Sequence, residues 1–168
     1  MVQLHDISPQ TRWTITTSVL TRFVLELGRK DIAEGGYPGR ERLFSLLGDE
    51  VRRVAEEYSL ARENAANLVE TLGAVSVILF GRAFETQYIE GFPKEGIIRL
   101  AECAMFREGA SPDISPGEAH SVCMAYVRSA ISSLNPRYSI EITMARCRGD
   151  PFCEMIISPE KEPGGSPE

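Results

Sequence analysis

The chain has 168 residues, 43% of them hydrophobic and 25% charged, with a net charge of −6. That length suits one domain with a real core. The acidic balance argues against nucleic acid or an anionic membrane surface as partner, because both need a basic footprint.

The first half reads as helices. From Gln10 to about Ala33 the apolar residues Trp13, Val19, Leu20, Phe23, Val24 and Leu27 recur three, four and seven apart, giving one apolar stripe. Ser8-Pro9 marks a start and Gly35-Gly36 a stop. A second helix is expected from Pro38 to Tyr58, carrying Leu43, Phe44, Leu46, Leu47, Val51 and Val54. A third is expected from about Leu60 to Phe84. In its segment 74–80, a buried helix competes with a strand, and the unbroken period before it favours helix.

After Phe84 the period changes. Glu85 to Phe92 and Gly96 to Leu100 read as a hairpin around Pro93-Lys94-Glu95. Ser111 to Pro116 reads as loop. A helix is expected from Pro116 to Leu134, opened by proline with Glu118 in its first turn and ended by Asn135-Pro136. Tyr138 to Ala145 alternates as a strand, with Tyr138, Ile140, Ile142 and Met144 on one face. Phe152 to Ile157 follows as another, across the turn Arg148-Gly149-Asp150-Pro151. The tail, 159–168, has the composition of a disordered segment. The expected fold class is α+β: an N-terminal helical region over 1–84, then a region over 85–158 in which an antiparallel sheet is crossed by one long helix.

No apolar run reaches the ~18–20 residues needed to span a bilayer. The first residues lack the basic-then-apolar pattern of a secretory signal, so the expectation is a cytoplasmic protein with reduced thiols. No phosphate-cradling glycine loop, dinucleotide fingerprint, serine triad or zinc-protease histidine pair is present.

The chemistry-bearing residues cluster late. Cys103, Cys123, Cys147 and Cys153 are spaced 20, 24 and 6 positions apart, without a Cys-x-x-Cys knuckle. Cys147 and Cys153 flank the last predicted turn, Cys123 lies on the helix expected to pack on that sheet, and Cys103 follows the strand entering the layer. These four thiols are candidate metal ligands. The alternative is that they are small buried hydrophobes; a disulfide between Cys147 and Cys153 is a third reading, which a reducing compartment disfavours. His120, one helical turn before Cys123, offers an imidazole ligand or a general base, or is simply half-exposed. Asp150 is a turn residue by its place before Pro151, and a proton acceptor in a catalytic reading. Phe80, Arg82, Phe84 and Tyr126 are candidate walls of a ligand pocket; the alternative is core packing with a surface arginine.

With these residues in view, Cys103-Ala104-Met105-Phe106-Arg107-Glu108, Val122-Cys123, Asn135-Pro136-Arg137-Tyr138 and Arg148-Gly149-Asp150-Pro151-Phe152-Cys153-Glu154-Met155 resemble the L-2-amino-thiazoline-4-carboxylic acid hydrolase family. The Gly149-Asp150-Pro151-Phe152-Cys153-Glu154 ending is also similar to the vinyl-4-reductase domain, a small-molecule-binding fold. The resemblance covers about residues 80–158. It implies a structural zinc held by cysteines matching Cys123, Cys147 and Cys153 beside a pocket for a small-molecule ligand.

Three functions follow as expectations. The first is a ligand-binding module with a cysteine-bound zinc. The second is a hydrolase of a small cyclic amidine or amide, with Cys123 as nucleophile or a metal-bound water attacking, and His120 or Asp150 in proton transfer. The third is a metal-free assembly or regulatory subunit. Apolar positions on the N-terminal helices suit a homodimer as well as an internal bundle.

Overall fold

The computed structural model describes residues 8–33, 38–85, 88–102, 105 and 114–160. Among these residues four α-helices and a four-stranded antiparallel sheet share one continuous core, an α+β architecture as the period change anticipates.

Helix α1 (Pro9–Ala33) opens on Ser8, whose hydroxyl accepts from Thr11 N at 3.1 Å. Its inward face carries Thr17, Thr21, Val24 and Leu25. The two threonines satisfy themselves on the helix, Thr17 Oγ1 donating to Trp13 O at 3.0 Å and Thr21 Oγ1 to Thr17 O at 2.8 Å. Helix α2 (Pro38–Glu57) buries Phe44, Val51, Val54 and Ala55. It crosses the last helix at a close approach: a side-chain carbon added to Gly48 would stand 2.5 Å from Ser129 Oγ.

Helix α3 (Ala65–Phe80) is shorter at both ends than its apolar pattern suggests. Asn64 caps the start, accepting from Asn67 N at 3.0 Å. The apolar segment 74–80 is helix. Gly81 stops it four residues before the expected end: its φ of +85° suits glycine, and its N–H closes on Val77 O at 2.9 Å. A 3-10 turn, Arg82–Phe84, follows; within the strand expected over Glu85 to Phe92 lies β1 (Tyr88–Gly91), and residues 86–87 are outside the described residues.

Strand β1 pairs with β2 (Gly96–Leu100), and Gly91 faces Gly96 across that pairing. Both lie hard against α3, where a side-chain carbon at Gly91 would meet Ala66 at 2.8 Å and one at Gly96 would meet Val69 Cγ1 at 2.5 Å. Helix α4 (Pro116–Leu134) has the predicted bounds. Its start is a full capping box, Ser115 Oγ accepting from Glu118 N at 3.3 Å and Glu118 Oε2 accepting from Ser115 N at 2.7 Å.

Strands β3 (Tyr138–Met144) and β4 (Cys153–Pro159) complete the sheet in the order β1-β2-β4-β3. Alternation puts Ile98, Leu100, Cys153, Met155, Ile157 and Ile140 on the buried face. The expected alternation of β3 breaks once. A bulge between Ile142 and Met144 sets Met144 against Glu154, so Met144 leaves the face of Ile140 and Ile142, and Ala145 is buried instead. Among the described residues, α3 packs on β1, β2 and β4, and α4 on β3. The expected long helix across the sheet is α4, and α3 is the member of the N-terminal helical layer that packs beside it. Residues 161–168 of the expected tail lie outside the described residues, and β4 runs on to Pro159.

Candidate functional site

Three elements converge at one end of the sheet. Helix α4 brings His120 and Cys123. A 3-10 turn, Arg146–Arg148, brings Cys147, and the first residue of β4 is Cys153. All four side chains border a single cavity, together with Phe84, Leu100, Met105, Ile142, Ala145 and Met155. About 20 Å³ of it is reachable by the centre of a water-sized sphere, room for about one water or one ion.

Local chemistry makes this convergence. Gly149, at φ +100°, turns the chain out of the 3-10 turn. The Asp150 carboxylate accepts from Ala145 N at 2.7 Å and closes the loop on itself. Arg146 Nη1 donates to Pro151 O at 3.0 Å. Arg146 N donates to Cys153 Sγ at 3.2 Å. Across the sheet Leu100 is the register partner of Cys153, so β2 supplies the cavity floor.

The electrostatics are those of a dry site. Burial pushes the Cys123 thiol up to about 12, and the neighbouring sulfurs of Cys153 and Cys147 add to the rise. The thiol is buried although the residue as a whole keeps some exposure. Burial also lowers His120, with the positive Arg148 second, so the imidazole is neutral at pH 7. A raised thiol is protonated and a poor nucleophile.

The remaining candidates fall elsewhere. Phe80, Phe84 and Tyr126 form an aromatic cluster, with Phe80 edge-on to Tyr126 at 4.8 Å and Phe84 at 5.4 Å from Phe80. The Tyr126 hydroxyl shares a 2.9 Å hydrogen bond with Ser76, and burial holds the phenol protonated. Of this trio only Phe84 borders the thiol cavity. It also borders a smaller apolar void beside Leu72, Ser76, Ile98 and Val127, which shares Leu100 and Met155 with the first. Arg82 is exposed and paired with Glu85 at 3.4 Å. Asp150 is spent on the turn. Glu154 points from the opposite sheet face, where it accepts from Arg99 at 2.7 Å and from Thr143 at 2.9 Å. Cys103 lies outside the described residues.

Cys147 and Cys153 are not joined by a disulfide, so that alternative is set aside. Among the described residues, no group of three or more His, Cys, Asp or Glu side chains gathers in a way that could hold a metal ion. The donor types match zinc, but their placement does not close around an ion. The sequence reading missed Leu100, Met105, Ile142, Ala145 and Met155 in the cavity lining. Period-two counting back from Met155 to Cys153 was the one signal available for that pair.

No protein-family model matches the chain, and no curated protein matches it. Among solved structures, trafficking protein particle complex subunit 3 from Naegleria fowleri, covalently bound to palmitic acid, is similar. Its TM-score is 0.56 at 11% identity, over 88% of this chain and 96% of that one. The likeness is one of fold. Among the described residues no helix is long and apolar enough to cross a membrane.

Proposed function

We propose that this chain is a small-molecule-binding domain that takes a slender apolar ligand between α3, α4 and the sheet, with Cys123, Cys147 and Cys153 lining the mouth. The observation that carries this reading is the pair of adjoining apolar voids. They share Phe84, Leu100 and Met155, and the first ends at the three thiols. Each is small as the chain stands, with about 20 and about 10 Å³ reachable by a water-sized sphere. A ligand enters by turning those three side chains aside and joining the voids. Methionine suits this, being unbranched and adaptable. The vinyl-4-reductase resemblance of residues 80–158 points the same way. The trafficking-complex subunit of similar fold carries a fatty acyl group.

Hydrolysis fits less well. Its candidate nucleophile, Cys123, has a raised thiol, and its candidate Asp150 is held by a backbone N–H.

The test uses decanoic acid as probe, followed by calorimetry and by intrinsic fluorescence. Wild type binds it saturably, and Met155→Trp, which fills the shared wall, loses binding while keeping its thermal transition. Absence of saturable binding in the wild type overturns the reading.

A second reading gives the same thiols to zinc, favoured by the soft donors around one cavity and opposed by their placement. Elemental mass spectrometry on untagged protein decides it. Near one zinc per chain, lost in Cys123→Ser, Cys147→Ser and Cys153→Ser, assigns the cluster to metal; metal-free, fully stable wild type removes zinc.

A further inference from the structure

Helix α1 shows a second apolar face that its own fold leaves uncovered. Ile15, Val19, Phe23 and Leu27 follow one another at intervals of four and are 53%, 49%, 62% and 48% exposed. At about 100° per residue this ridge is centred roughly opposite Thr17, Thr21, Val24 and Leu25, the residues that meet the core. The ridge is therefore not the edge of the core contact. It is a separate stripe facing away from it. Trp13 ties the start of α1 to α3 by donating to Ile78 O at 3.2 Å.

We infer that this ridge is the contact surface for a second copy of the chain, two α1 helices crossing about a two-fold axis between Val19 and Phe23. Shape supports that partner. A row of side chains at intervals of four packs into the groove beside an identical row, at a crossing near −50°. One such row is complementary to itself, as an isologous interface requires. Area supports it too. With each side chain about half exposed, the four present roughly 350 Å² of apolar surface per copy, comparable to the largest patch of a typical monomer, which is often functional. Two copies double that, and the flanking Arg12, Thr16 and Arg22 bring the pair towards the ~1,200 Å² of a specific interface. Arg12 and Arg22 border the ridge as well as Glu26, so only the net charge of −6 speaks against an anionic bilayer, and the vesicle arm of the test separates the two occupants. The inference is independent of the ligand reading, because the ridge and the thiol cavity share no residue.

The experiment is sedimentation velocity over a hundredfold range of concentration. Wild type sediments as a dimer that dissociates only at the lowest concentrations. Val19→Glu and Phe23→Lys each sediment as monomers with unchanged helix content and thermal transitions. Their equimolar mixture recovers the dimer, because position 19 of one copy faces position 23 of the other. This recovery also shows that neither variant has failed to fold. Ile89→Glu, on β1, leaves the dimer intact. A wild type that stays monomeric throughout overturns the inference, even if it pellets with phosphatidylserine vesicles. Dimers that persist in both variants place the interface elsewhere and overturn it as well. Monomers that do not recover on mixing overturn the two-fold arrangement.

Discussion

Helices α1 and α4 are built alike and used differently. Both are long, amphipathic and capped by serine. In α4 the apolar side, Ala119, Val122, Tyr126, Val127, Ala130, Ile131 and Leu134, is at most 5% exposed. In α1 the four largest apolar side chains of the ridge stand about half in water. The difference shows that an apolar stripe in sequence announces burial without saying by what. In α4 the covering surface comes from α2, β3, α1 and α3. In α1 the core takes one face through two threonines, a valine and a leucine, and the larger side chains are left for something else.

The largest test of that contrast is a matched pair of truncations. Tyr126→Ala removes the hub of the aromatic cluster and is expected to cost about 3–5 kcal/mol in urea unfolding. Phe23→Ala is expected to cost under about 0.5 kcal/mol at dilutions where the chain is monomeric, and more as concentration rises. Equal losses from both changes at high dilution would mean that the ridge of α1 is covered within its own chain.

The caps sharpen the contrast at smaller scale. Ser115→Ala breaks the capping box of α4 and should lower global stability by about 1 kcal/mol. Ser8→Ala should leave global unfolding unchanged and speed amide exchange only in the first turn of α1, because that end is exposed. Global destabilisation by Ser8→Ala would show the two ends to be equally tied to the core.

The smallest effect near neutral pH comes from the titrating groups on α4. The folded Cys123 thiol is raised from its ordinary 9.0 to about 12, so the folded state holds its proton where the unfolded chain has lost it. Its contribution is whole below pH 9 and falls as pH climbs from 9 towards 12. His120 runs the other way. Its lowered value makes its contribution whole above 6.5 and lost as pH falls below that. Denaturant midpoints against pH should therefore drop on both flanks, and Cys123→Val should flatten the alkaline one. An unchanged alkaline flank in that variant would place the thiol in water.

The helical bounds and the hairpins were legible because they rest on local signals. Pro116, Glu118 and Asn135 frame α4 within the sequence itself, and Gly149-Asp150-Pro151 announces its turn. Three features were not legible, for one shared reason. The stop of α3 at Gly81 is set partly by Thr17 of another helix, against which a side-chain carbon there would stand at 2.9 Å. The bulge in β3 depends on its register with β4. Burial of Phe80 and Tyr126, read as pocket walls, depends on their packing against each other. The thiol site was half legible: the hairpin turn brings Cys147 and Cys153 together, and helical spacing relates His120 to Cys123. Its apolar lining comes from β2 and Met105, which no spacing in the cysteine pattern reveals.

The strand order β1-β2-β4-β3 also orders assembly in time. The β1–β2 hairpin closes locally, but the middle of the sheet is a pairing between Arg99 and Glu154, 55 positions apart. Such closure is slow, since the intervening chain gives up its freedom before the contact repays it. Until β4 docks, β2 is an unprotected edge, the kind of surface on which nascent chains misassociate. Cys153 occupies the first position of that closing strand, so the thiol cavity is complete only once β2 and β4 have paired.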